Sequence, residues 1–101
     1  MNIEILAIRD HKINTFMTPF TAVHLGQALR SWEELVNDPK TTIAKYPNDF
    51  CLYRLGHFDD DSGQLTSLPV PEMIASASDY IKDKNPGQGK LKLEESPRAQ
   101  A

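Results

Sequence analysis

Leu25-Gly26-Gln27-Ala28-Leu29-Arg30-Ser31-Trp32-Glu33-Glu34-Leu35-Val36-Asn37-Asp38-Pro39 is the stretch from which the fold is read. Leu25, Ala28, Leu29, Trp32, Leu35 and Val36 recur at intervals of three and four, the spacing that lines one face of an α-helix. Gln27, Arg30, Ser31, Glu33, Glu34 and Asn37 fill the other faces, so this is a helix laid on an apolar support. Pro39 ends it, because proline disfavours helical geometry at the residue before it. The start is marked less sharply. His24 is a poor cap, yet Gln27 stands where a capping box places Gln or Glu, and Thr21 is the alternative cap. Trp32, in the middle of the stripe, is expected in the core.

On either side of the helix the apolar period drops to two. Residues 2–9 read as a strand, with Ile3, Ile5 and Ala7 on one face and Leu6 and Ile8 on the other. His11 to Thr18 is polar and irregular, with Phe16 and Met17 expected to fold back onto the core. Pro19 to Val23 reads as a short strand with proline at its start, where it is tolerated. Thr41 to Lys45 adds a helical turn, and Tyr46-Pro47-Asn48-Asp49 is turn chemistry. Phe50 to Phe58 is the second clear strand. Alternation places Phe50, Leu52, Arg54, Gly56 and Phe58 on one face, and Cys51, Tyr53, Leu55 and His57 on the other. Asp59 to Gly63 is a tight reversal with Gly63 free to take positive φ, and Gln64 to Leu68 returns as a strand.

Pro69 and Pro71 then break the chain. Glu72 to Lys82 reads as a second, amphipathic helix, with Met73, Ile74, Ala77, Tyr80 and Ile81 at helical spacing. From Asp83 onward there are two Pro, two Gly and no large apolar residue except Leu91 and Leu93, the composition of a disordered tail. The expectation is one α+β domain over residues 1–82 with a tail over 83–101. Its order is β-β-α-β-β, a small antiparallel sheet of about four strands with one main helix packed on it.

At 101 residues, 40 % hydrophobic and 25 % charged, the chain is a single globular domain with a modest core. Cys51 is the only cysteine, so no internal disulfide forms, which fits a reducing compartment. No run approaches the roughly 18 apolar residues of a membrane span. The first ten residues lack a basic n-region and carry Glu4 within their apolar run, unlike a signal peptide. The chain therefore reads as cytosolic, with no membrane partner. Residues 1–83 hold seven Lys/Arg against twelve Asp/Glu, a net −5, whereas residues 84–101 hold four against two, a net +2. A folded part at −5 repels a phosphate backbone unless its cations gather on one face.

No enzyme motif is present, and neither catalytic residues nor cofactors are expected. Cys51 and His57 suggest a nucleophile and base, but six residues along a strand separate them by about 20 Å. The run Asp59-Asp60-Asp61-Ser62-Gly63 resembles a calcium loop, yet Gly63 and Val70 stand where an EF-hand needs ligands. His57 with Asp59 and Asp61 lacks a second cluster to complete a metal shell, so no metal is expected. Nucleic-acid binding needs cations and aromatics displayed together. The candidates are Arg30, Lys45 beside Tyr46, and Arg54 beside Tyr53, with Asp49 a partner that would make one arginine structural.

Five short blocks, in order, carry a family resemblance. They are Pro19-Phe20, Ala28-Leu29-Arg30-Ser31-Trp32, Val36-Asn37-Asp38-Pro39, Tyr46-Pro47-Asn48-Asp49-Phe50, and Leu52-Tyr53-Arg54-Leu55-Gly56-His57-Phe58-Asp59-Asp60 with Gly63 beyond. In these the chain resembles the small nonstructural protein of gokushoviruses, tailless single-stranded DNA phages of the microvirus group (Microviridae). The resemblance spans residues 1–68 and implies a phage protein made in the host bacterial cytoplasm and absent from the capsid. Such proteins are often labelled DNA-binding, and are likened to the factor that turns replication toward single strands for packaging. The resemblance brings no catalytic residues. It implies a nonenzymatic accessory protein of viral DNA replication or packaging that binds single-stranded DNA. The alternative is a protein–protein module, a homo-oligomer acting on a phage or host replication or assembly protein.

Overall fold

The computed structural model describes residues 1–82, and the tail expected over 83–101 lies outside the described residues. Strands β1 (Asn2–Asp10), β2 (Thr15–Phe16), β3 (Phe20–Ala22), β4 (Phe50–Asp59) and β5 (Leu65–Ser76) form one antiparallel sheet. Between β3 and β4 lie α1 (Leu25–Val36), the single-turn α2 (Thr42–Lys45) and a 3-10 turn at Pro47–Asp49. β1 and β4 are the interior pair, β5 lines the outer side of β4, and β2 and β3 both pair with β1. The expected order thus holds only in outline. The sheet has five strands because the stretch read as irregular contains β2, where Phe16 pairs with Arg9.

α1 begins and ends close to where its sequence indicates. His24 is the N-cap without a side-chain bond, while Gln27 Oε1 accepts from the Val23 N–H at 3.0 Å, reaching one residue beyond the N-cap N–H of a standard capping box. Thr21 belongs to β3 and pairs with Ile5. Asn37 closes the C-terminus, its Nδ2 donating to the Glu33 carbonyl at 2.8 Å and the Tyr80 carbonyl at 2.9 Å. Thr41 caps α2 by accepting from the Ala44 N–H at 3.1 Å.

The core lies between α1 and one face of the sheet. Trp32, 2 % exposed, packs with Ala28 and Val36 from the helix and with Leu6, Ile8, Phe50 and Leu52 from β1 and β4. The Trp32 indole N–H is buried and has no hydrogen-bond partner among the described residues.

β4 does not alternate cleanly. On its β1 side Gly56 opposes Ile5 while Arg54 opposes Leu6, leaving Leu55 as an extra, bulged residue. On its β5 side Arg54 pairs with Glu72 and Gly56 with Ser67, so Leu68–Pro71 loops out between them. The bulge inverts every side chain beyond it. Cross-strand pairing therefore puts His57 with Glu4 on the helix side, and Phe58 with Ile3 on the other, the reverse of strict alternation. Gly56 permits the close approach here, since a Cβ would lie 2.1 Å from the Thr66 carbonyl oxygen.

The second helix expected over 72–82 is absent. Glu72, Met73, Ala75 and Ser76 continue β5, pairing with Arg54, Tyr53, Leu52 and Cys51. Pairing with the long edge of β4 overrides a weak helical period, and the prolines fit because they fall on an edge strand, inside the excursion. Ala77 is buried, and Tyr80 and Ile81 pack against the core from a turn rather than a helix.

Candidate nucleic-acid interface

The three cations singled out by sequence lie on three different elements. Arg30 is exposed on the outer side of α1, and Lys45 is exposed in α2. Arg54 is committed to structure. Its Nε donates to Glu4 Oε1 at 2.8 Å, one terminal nitrogen reaches Glu72 Oε1 at 3.2 Å, and the other donates to His57 Nε2 at 2.6 Å. A guanidinium can only donate, so His57 Nε2 is the acceptor in this bond. The arginine has a carboxylate partner on each neighbouring strand, with no ion pair to Asp49 among the described residues.

The face of the sheet away from α1 brings together residues that lie far apart in sequence. Pairing of Arg9 with Phe16 and Cys51, of Ala7 with Tyr53, and of Tyr53 with Met73 sets these side chains on one side. The Phe16 and Tyr53 rings meet edge to face, 5.2 Å between centroids at 81°. Thus Phe16 leaves the core, contrary to expectation, and Met17 is half exposed. The Arg9 guanidinium carbon lies 4.9 Å from the centre of the Phe16 ring, a cation–π contact. His11 stands 6.0 Å from Tyr53 between ring centres, its Nε2 3.3 Å from the tyrosine hydroxyl. His11 and Lys12 are exposed in the turn that follows β1, and Phe16 and Tyr53 are partly exposed. Among the described residues neither Arg9 nor Lys12 forms an ion pair.

The result is a half-open aromatic surface edged by Arg9, stacked on Phe16, and Lys12, both without an ion pair among the described residues; unpaired bases stack on such surfaces while cations neutralise phosphates. Farther along the same face lie Ile3, Phe58 and the exposed Leu65, an apolar continuation. Sequence reasoning missed Arg9 and Phe16. The signal was Arg9 closing an apolar strand, with an aromatic seven residues on across a short hairpin.

Cys51 is buried, and burial, with Asp79 adding to it, pushes its thiol above the usual range, against a nucleophilic role. Its neighbour in sequence reasoning, His57, is held by Arg54. The Asp59, Asp60 and Asp61 carboxylates converge within 4.8 Å of one another, but His57 does not join them. The Met1 ammonium lies 2.8 Å from Asp60 and 3.4 Å from Asp61, and the Asp60 bond raises its pKa. Asp59 is held below the usual carboxylate range, chiefly by accepting the Asp61 N–H at 2.9 Å. No helix is long and apolar enough to cross a membrane among the described residues.

Residues 3–80, almost all of the described structure, match the family described as Phage ORF5 protein. The chain belongs to the Phage ORF5 protein family. No curated protein and no solved structure matches it. The Phage ORF5 match covers β1 through β5, so the aromatic surface and the Arg54 cluster both fall within the family's extent.

Proposed function

We propose that this phage protein is a nonenzymatic accessory factor of viral genome replication or packaging that binds single-stranded DNA on the open face of its sheet. The observation that carries this reading is the Arg9–Phe16–Tyr53–His11 cluster. It supplies π-faces and cations together on a surface that no helix among the described residues covers, despite a net acidic charge over residues 1–83. The motif resemblance to the gokushovirus nonstructural protein supports it, and on this reading the protein acts in the host bacterial cytoplasm. On this reading Arg9 and Lys12 take the phosphate role, with Arg30 and Lys45 as outlying contacts and Arg54 as a structural neighbour.

The test is fluorescence anisotropy of a labelled single-stranded oligonucleotide, at low and then physiological salt, with a duplex control. Binding should favour the single strand and weaken with salt. Tyr53→Ala and Phe16→Ala should each cost about 1–3 kcal/mol, roughly 5- to 150-fold in affinity. Arg9→Ala should lower the salt slope by about one. Variants that stay folded and bind like the unmodified protein would remove this surface, and no binding at low salt would remove the function.

A second reading, a homo-oligomer or a module for a phage or host replication protein, is favoured by the apolar continuation through Ile3, Phe58 and Leu65. A monomer at high concentration by light scattering would count against self-association.

A further inference from the structure

A groove runs along the helix side of the molecule, between the helices and the β2–β3 edge. Three adjoining cavities of about 320, 440 and 400 Å³ form it. The first two share Ile8 and Leu35, and the last two share Asp10, Thr42 and Phe50. Its floor is apolar, and Ile13, Met17 and Phe20 stand on its lip, 65 %, 48 % and 37 % exposed. The far end is different. There Asp10 and Asp49 share the lining with the exposed Tyr46. Asp10 accepts the Lys12 N–H at 2.9 Å, and among the described residues neither carboxylate forms an ion pair. Lys12 lines this end too, and its ammonium pairs with neither of them.

We infer that this groove binds an extended segment of a partner protein, in which two large apolar side chains lead to an arginine. Three observations set that chemistry. The first two cavities are apolar, and their volumes fall in the range of about 300–1,000 Å³ typical of sites that enclose apolar groups. The outer edges of β2 and β3, along the lip, have no neighbouring strand among the described residues. Their backbone groups are therefore open to a chain laid alongside, which selects a peptide over an apolar small molecule. The third observation is charge. Two carboxylates without ion pairs, beside a tyrosine, suit a guanidinium, whose fork takes carboxylates and whose plane stacks on aromatic rings. An acidic side chain would instead meet Asp10 and Asp49, and the net −5 over residues 1–83 steers a basic partner. Alternate residues of an extended chain face one way, so the apolar side chains and the arginine are spaced by outward-facing residues. None of this rests on the DNA reading. Lys12 edges both surfaces, so the groove is tested in the absence of DNA.

The test is methyl NMR of the full chain, titrated with acetyl-Leu-Ser-Leu-Ser-Arg-amide to about 1 mM. Saturable shifts are expected at Ile13, Met17 and Ile43, while Ile3 and Met73 on the opposite face stay in place. The same peptide ending in glutamate should bind about tenfold more weakly, as should the one with serine for both leucines. Asp49→Asn should weaken the arginine peptide about tenfold, the effect of losing one charge-assisted hydrogen bond, and leave the glutamate peptide no weaker. The peptide series decides the matter even where that variant disturbs its turn. No shifts at the groove, or equal binding of the arginine and glutamate peptides, would overturn the proposal. Groove signals that move on dilution of the protein alone would assign the groove to a second copy, and overturn it equally.

Discussion

Arg54 and Gly56 show how two neighbouring positions are spent on architecture. The guanidinium links Glu4 on β1 to Glu72 on β5 across β4, just where both ladders slip. Glu4 is mostly buried, so the arginine satisfies a carboxylate that would otherwise be desolvated without a partner. Gly56 is required for a different reason. A methyl there would press on the Thr66 backbone oxygen, which cannot rotate away as a side chain can. Gly56→Ala is expected to cost about 3 kcal/mol, the upper part of the range for overpacking. Urea denaturation measures it, and a midpoint like that of the unmodified protein would show that β5 can move aside.

At the scale of elements, α1 was legible because a twelve-residue amphipathic stripe with a proline stop has few alternatives. Its buried face is Ala28, Trp32 and Val36, of which Trp32 is the largest side chain. Trp32→Ala should cost about 3–5 kcal/mol by removing a buried aromatic from the core, a large share of the roughly 5–15 kcal/mol available to a domain. Thermal melting checks this, and an unchanged melting temperature would mean that the helix contributes little. β4 was legible as a strand but not in its facing, because a bulge leaves no mark in composition and Leu55 looks like any strand residue. The same invisibility hid the aromatic surface, since the partnership of Phe16 with Tyr53 depends on two registers through β1. β5 was misread beyond Pro71 for a related reason. Met73, Ile74 and Ala77 satisfy a helical period locally, and the open edge of β4 that captures them is a tertiary fact.

Taken whole, the molecule is a single sheet used on both sides. One side carries the core and the groove beside it, while the other displays the Phe16–Tyr53 cluster. Charge totals anticipated neither surface, because a net −5 says nothing about where Arg9 and Lys12 sit. The apolar spacing did indicate a small α+β fold with one main helix. Of the residues chosen from sequence for binding, Lys45 and Arg54 were adjacent to aromatics in the chain, whereas the cluster that forms is adjacent in space. Such a site emerges only when three strands are placed in register.

The Leu68–Pro71 excursion offers a handle. It leaves the ladder between Ser67 and Glu72, Val70 at its tip is 70 % exposed, and its prolines offer no amide to the ladder. It belongs to neither the aromatic surface nor the groove. A short epitope or a small fluorophore-binding peptide inserted between Val70 and Pro71 should therefore leave the proposed DNA affinity and the melting temperature nearly unchanged. Such a labelled protein could be followed through infection while its termini stay native. A melting temperature that drops sharply on insertion would mean that the excursion braces the sheet.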